Sequence, residues 1–287
     1  MKRLVAWLYA PVFLLGFVGW GLWKPDWWAG VFATAVAVSF LAEHWLPYEP
    51  HWNRSLGDRR RDTVHALVNE CLNALGLLIL PWLTARLALE GIWPRGWPMW
   101  QQLLLAIVLA DAGITLMHYA SHRIAPLWRL HAVHHSVQRL YGFNGLMKHP
   151  LHQMLEATAG LLPLILLGIP ADVAQLLALA IAIQLMLQHS NVDMRVGPLR
   201  WVFAWAPVHR FHHMKYGRAG NVNFGLFFNV WDWLLGTAFY RRNYRMGPGD
   251  LGIGSRPDFP LAYGAQLRDP FVPVRVSQEP PLPEQLR

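Results

Sequence analysis

The chain has 287 residues, of which 54% are hydrophobic and only 15% charged, well below the roughly 25% charge of an ordinary soluble domain. Lys and Arg number 25 against 17 Asp and Glu, a net charge of +8, and Cys71 is the single cysteine. These figures exclude a soluble globular domain and an intramolecular disulfide, and length alone does not choose between one domain and two.

Leu4 to Trp23 is a run of 20 residues without a charge, long enough to cross a bilayer as a helix. It is too long and too Trp-rich for a cleaved leader and has no small-x-small site, so it reads as a first span. Trp27 to Ala42 reads as the second span, Cys71 to Ala85 as the core of the third, and Met99 to Met117, interrupted by Asp111, as the fourth. Lys2 and Arg3 precede the first span, and Arg54, Arg59, Arg60 and Arg61 lie in the loop 47–65. By the positive-inside rule both basic groups are cytoplasmic, which puts residues 90–98 outside and His118 back inside. That rule also accounts for the net charge, so nucleic acid is not implied as a partner. Glu43 and His44 read as markers of the membrane interface.

Residues 118–245 carry most of the histidines and a long apolar stretch, 157–187, broken by "GIPAD" at 168–172. Each half is shorter than a full span, which predicts a hairpin that dips into the membrane and returns, with two tilted spans as the alternative. The segment 224–239 predicts an interfacial helix, with Trp231 and Trp233 as anchors and Asp232 as a cap. From residue 246 the chain is proline-rich and predicts an extended, partly disordered tail. The fold class is therefore an all-α integral membrane protein with about four transmembrane helices in 1–117. The hairpin and a cytoplasmic, helical, histidine-rich cap occupy 118–245, and the tail 246–287.

Three motifs concentrate imidazoles: "HYASH" with His118 and His122, "LHAVHH" with His131, His134 and His135, and "HRFHH" with His209, His212 and His213. On a helix, residues i and i+4 lie about 40° apart and i and i+3 about 60° apart, so each motif offers imidazoles converging on one point. A lone histidine at a membrane face is ordinary, but with His189 these make nine of the chain's 14. Neutral imidazole binds iron, zinc or copper, and nine donors exceed what one ion takes and suit two. Asp111, two turns before His118, is placed to orient a ligand histidine. Asn144, Asn191 and Asn223 could orient ligands or cap loops, and Asp193 reads as a solvated carboxylate.

These motifs resemble the three histidine boxes of the fatty acid hydroxylase and sterol desaturase superfamily of integral-membrane di-iron oxygenases. "ADAGITLMHYASHR" (110–123), "LWRLHAVHHS" (127–136), "MKHP" (147–150), "QHSN" (188–191), "GPLRWVFAWAPVHRFHH" (197–213) and "NVNFGLFFNVWDWLLGT" (221–237) carry the resemblance. The chain departs from the pattern after the His-Pro turn, where it has His152 instead of a glutamate, with Glu156 one turn later. The resemblance implies two irons held by the nine histidines, with His149 and His152 as candidates for positions around them. It implies O2 as co-substrate and hydroxylation or desaturation of a lipid C–H bond. No iron–sulfur cysteine set or dinucleotide fingerprint occurs, so the reductant has to come from a separate ferredoxin- or cytochrome b5-like donor with its reductase. The basic residues Arg195, Arg200, Arg210, Lys215 and Arg218 offer that donor, or an anionic lipid head, a positive face. A membrane zinc hydrolase and a bis-histidine haem carrier are the competing readings.

Overall fold

The four apolar runs of the N-terminal half each form one long helix in the computed structural model: α1 (Lys2–Trp23), α2 (Trp28–Trp45), α3 (Arg59–Leu87) and α4 (Met99–Ser121). There follow α5 (Ala125–His135), α6 (Pro150–Leu167), α7 (Ala171–Gln188), α8 (Ala206–His209), α9 (Val230–Leu235) and α10 (Tyr263–Arg268). The structure describes residues 1–89, 91–273 and 275–286, with residues 143, 218 and 219 described by their backbone only. Among these, all named regular elements are helical. Glu90, at the start of the expected outer loop, and the side chain of Arg218 lie outside the described residues.

The stretch around 157–187 is a hairpin, but its limbs are full-length. The limbs α6 and α7 have 18 residues each, about 27 Å of helix. Gly168, at φ 82°, ends α6, and Pro170 precedes α7. The tip reaches the far end of the bundle, where Leu89 N–H donates to the Leu166 carbonyl (2.8 Å) and Arg95 to the Gly168 carbonyl (3.3 Å). The first limb starts at Pro150, seven residues before the apolar run, because His152 and Glu156 in its opening turns are buried. Among the described residues, six helices are thus long and apolar enough to cross a membrane.

Small residues let α4 and α6 pack backbone to backbone. A Cβ on Gly113 would lie 2.1 Å from the Ala159 carbonyl oxygen, and one on Gly160 would meet Ile114 at 2.8 Å. Close approach through small residues is how membrane helices gain van der Waals contact where lipid supplies no hydrophobic drive. The most deeply buried of the six is α7, packed on α1, α2, α3 and α4. Leu179, Ile183 and Leu187 meet Tyr9 and Phe13 on its α1 side, and Leu176 and Leu177 meet Ala106 and Ala110 on its α4 side.

The cap covers the end of the bundle where α1 begins, and Arg195 N–H fixes it there by donating to the Ala6 carbonyl (2.7 Å). Glu43 does not mark a wet interface. It is buried, and its Oε1 accepts the amides of Gly142 (2.9 Å) and Asn191 (3.0 Å), joining α2 to two cap loops. The expected interfacial helix at 224–239 shrinks to α9. Residues 224–228 stay irregular because their amides bond to carboxylates, Phe224 and Gly225 to Asp232 and residues 226–228 to Asp111. Part of the tail packs onto the rest, while residues 275–283 are irregular and mostly exposed, as expected. Gln266 of α10 accepts from His65 Nε2 (2.8 Å), Arg256 forks onto Asp269, and Leu286 is buried in the cap.

Candidate metal centre

The eight motif histidines and His189 meet at the junction of bundle and cap, and they form two clusters. His118, His122, His131, His135 and His212 make one; His134, His189, His209 and His213 make the other. Within each cluster one ring nitrogen from every residue lies within 4.8 Å of the rest. The clusters touch, with the His135 and His213 rings stacked at 4.9 Å.

The motifs do not map one to a cluster, as spacing alone predicted. The i,i+4 pairs 118/122, 131/135 and 209/213 stay together because four residues nearly complete a helical turn. The remaining members exchange: His134 joins the pair 209/213, and His212 joins the pairs 118/122 and 131/135. His189, at the end of α7, completes the four-histidine cluster. His118 comes from α4, His122 caps it, and α5 supplies the middle motif. The third motif is one turn of α8 followed by a 3-10 turn, not a continuous helix.

Hydrogen bonds fix which nitrogen faces inward. Nδ1 of His118 lies 2.8 Å from the Phe224 carbonyl, and that of His212 2.8 Å from the Val222 carbonyl. In the other cluster, Nδ1 of His134 and His189 faces the carbonyls of Met147 and Leu185, each at 3.2 Å. A carbonyl accepts only a proton, so in these four rings Nδ1 carries it and Nε2 keeps its lone pair. Yet His118 Nε2 faces His212 Nε2 at 2.8 Å, and His134 Nε2 faces His189 Nε2 at 3.3 Å. Two lone pairs at that distance repel, and no proton remains to bridge them. A cation between them removes the conflict, once in each cluster. The donor set fits two metal ions.

Electrostatics agree with neutral ligands. Burial pushes the pKa of His122 and of His189 down to about 3. It holds His131, His134, His135, His209, His212 and His213 well below the ordinary value as well. These imidazoles are uncharged at neutral pH and available as donors.

One short segment, 221–224, orients three ligands of the five-histidine cluster. The Asn221 side chain accepts from His122 Nδ1 (2.9 Å), the Val222 carbonyl from His212, and the Phe224 carbonyl from His118. Asn223 between them has φ 55°, and the carbonyls on either side of it, of Val222 and Phe224, face two rings. Its side chain holds that turn through Val208 and Phe239, each at 2.8 Å. Asp111 acts one step further away. It accepts from the amides of Leu226, Phe227 and Phe228 and from the Trp231 indole (2.7 Å), not from His118, so it fixes the loop whose carbonyl holds His118.

The other candidates sort by what they touch. His152 lies behind His131, its ring centroid 4.5 Å away, and its Nε2 meets Ser121 Oγ at 2.9 Å. Glu156 pairs with buried Lys148 at 2.5 Å. His149 caps α6 and reaches the Leu267 carbonyl. Asn144 and Asn191 close loops: Asn144 accepts the Tyr141 amide, and Asn191 bonds to Glu49 and Asn53. Asp193 is partly exposed and pairs with Arg245. Asn221 and Lys148 escaped sequence reasoning, which reads Glu43 only as an interface marker. Gln184 and Gln188 escaped it too, though an i,i+4 polar pair in the apolar α7 was a usable signal. Both donate to carbonyls of residues 225–226, again bracing the ligand-orienting loop.

Fold and site together define an integral multi-pass membrane protein with two buried histidine clusters that fit metal ions. The fatty acid hydroxylase family model matches residues 103–237, which span every one of the nine histidines. Ornithine lipid hydroxylase OlsE of Rhizobium tropici is 35% identical over 257 residues, 85% of this chain and 76% of that protein. Alkylglycerol monooxygenase of Danio rerio is 29% identical over 52% of this chain and 32% of its own length. Delta(7)-sterol-C5(6)-desaturase of Nicotiana tabacum is 31% identical over 46% of this chain and 47% of its own. No solved structure matches the chain. The chain belongs to the fatty acid hydroxylase family and is a membrane oxidoreductase.

Proposed function

We propose that the protein is a di-iron oxygenase that hydroxylates, or desaturates, an unactivated C–H position of a membrane lipid. The observation that carries this reading is the pair of adjacent, buried, all-imidazole clusters with lone pairs turned inward. Two redox-active irons held there supply the reductive activation of O2 that no side chain can perform. His118, His122, His131, His135 and His212 hold one, and His134, His189, His209 and His213 the other. In hydroxylation the lipid C–H, O2, two electrons and two protons give an alcohol and one water.

The chain's own residues do four things. The carbonyls of Phe224, Val222, Met147 and Leu185 hold Nδ1–H so that each Nε2 points inward. Asp111, Asp232 and Asn223 hold the segment carrying two of those carbonyls. Burial keeps competing water from the ligands and keeps them unprotonated. Apolar helix surface selects a lipid tail at about 0.8 kcal/mol per buried methylene. The basic loop at 54–61, with Lys2 and Arg3 in the first turn of α1, supports a reading in which the cap and both termini face the cytoplasm. Electrons arrive there from a ferredoxin- or cytochrome b5-like donor.

A zinc hydrolase fits less well, because catalytic zinc keeps about three protein ligands and these clusters offer five and four. The test is purified protein in lipid nanodiscs with reductant, donor and isotopically labelled O2. Two irons per chain and a labelled hydroxyl or a new double bond in a lipid are expected. Zinc in place of iron with no oxygen-dependent lipid change would overturn the reading.

A further inference from the structure

A cleft of about 230 Å³ opens on the cap beside the metal centre and is lined by five arginines, 195, 210, 241, 242 and 245, against one carboxylate, Asp193. Tyr48, Tyr240 and Tyr244 form much of the rest of its wall. Asp193 makes its ion pair among the described residues with Arg245, at 3.3 Å. Among the described residues, Arg195, Arg241 and Arg242 have no ion-pair partner. Arg210 is buried and stacks on the Tyr48 ring at 3.8 Å. Its guanidinium donates to two backbone carbonyls, of Ser190 and Val192, and its Nε has no partner. Five like charges around a concavity repel one another, and the buried Arg210 guanidinium feels Asp193 and Glu43 only from beyond ion-pair distance, which leaves its burial costly. An anion in the cleft relieves both.

The position of the cleft says which anion. Arg195 lies level with the second turn of α1, through its bond to Ala6. On that helix Leu4, Trp7, Leu8 and Val12 are exposed apolar residues, and Trp201 and Val202 are exposed nearby in the chain. A cationic pocket flanked by exposed aromatic and aliphatic residues at helix ends is the setting in which lipid head groups bind. Its volume is below the roughly 300–1,000 Å³ that encloses a whole small ligand, so it admits a head group and leaves the chains outside.

We propose that this arginine cleft binds the anionic head group, phosphate or carboxylate, of a membrane lipid whose chains descend along the exposed face of α1. The proposal depends on the membrane setting and not on the oxygenase chemistry, so a binding measurement tests it separately. Arg241 and Arg242 are exposed, so replacing them leaves the core untouched.

The experiment compares wild type with Arg241→Gln/Arg242→Gln in detergent, by native mass spectrometry. Short-chain phosphatidylglycerol, short-chain phosphatidylcholine and inorganic phosphate are titrated in turn. Wild type is expected to prefer the anionic lipid over the zwitterionic one, and the double variant to bind it about tenfold more weakly or less. Equal binding of the two lipids, an unchanged affinity in the variant, or inorganic phosphate competing as well as the lipid would each overturn the proposal. So would a variant that loses binding of an acidic electron-donor protein while keeping the lipid preference.

Discussion

Gly113 of α4 and Ala159 of α6 approach so closely that a Cβ at 113 would sit 2.1 Å from the Ala159 carbonyl oxygen. A backbone carbonyl inside a helix cannot swing away, so Gly113→Ala has to push the two helices apart. The helix displaced carries His118, and overpacking of this kind costs about 1–3 kcal/mol. Gly160→Ala meets mainly the Ile114 side chain, which can rotate. Thermal unfolding in detergent should therefore show Gly113→Ala as clearly the more destabilised. Equal melting temperatures would mean that the helices are not in backbone contact.

Asn223 offers a separation of backbone from side-chain effects. Both Asn223→Gly and Asn223→Ala lose the bonds to Val208 and Phe239. Only alanine also resists the left-handed φ of 55°, by roughly 1–2 kcal/mol. Alanine should thus melt lower than glycine and hold less metal, because the carbonyls of Val222 and Phe224 lose their aim at His212 and His118. Identical behaviour of the two variants would remove the turn from the account.

Much of this centre was legible in the sequence. Eight histidines at i, i+3 and i+4 spacing, with His189 as a satellite, all just beyond apolar runs, point to metal at a membrane face, and all nine do come together at one end of the bundle. The partition between clusters was not legible. Spacing along one helix says which side chains share a face, but the helix orientations decide which cluster that face meets, so His134 and His212 exchange places. Glu43 was misread because a carboxylate at the end of an apolar run looks interfacial, and its partners, Gly142 and Asn191, are 99 and 148 residues away. Composition made the whole tail look loose, although Gln266 bonds to His65 of α3, Asp269 pairs with Arg256 within the tail, and Leu286 is buried in the cap.

Asp111 gathers three backbone amides and one indole inside the protein. In Asp111→Asn the new NH2 faces donors, leaving at least one of them unsatisfied at about 1–3 kcal/mol. The loop 224–228 loosens, and with it the carbonyl that fixes His118. A lower melting temperature and weaker metal retention by the five-histidine cluster are expected, measured as metal left after dialysis against a chelator. A variant with lowered stability but wild-type metal retention would confine Asp111 to a packing role.

The exchange of His134 and His212 leads to the sharpest test of the centre. His131 and His212 belong to different motifs but to one cluster, whereas His134 and His212 belong to different motifs and different clusters. His131→Ala/His212→Ala removes two of five donors from one site and leaves the four-histidine site whole. His134→Ala/His212→Ala removes one donor from each. Even changes around a ligand typically cost ten- to a hundredfold in metal affinity, and removing a ligand itself costs at least that. The first variant should keep about half the metal of wild type, and that half should resist chelator as strongly as wild type does. The second should lose metal from both sites, with no resistant fraction. Folding should survive in both, because packing such as that of α7 against α1 and α4 holds the bundle independently of the ligands. Metal analysis after graded chelation reads the difference directly. A resistant half in the second variant, or none in the first, would show that the clusters are not divided as His134 and His212 divide them.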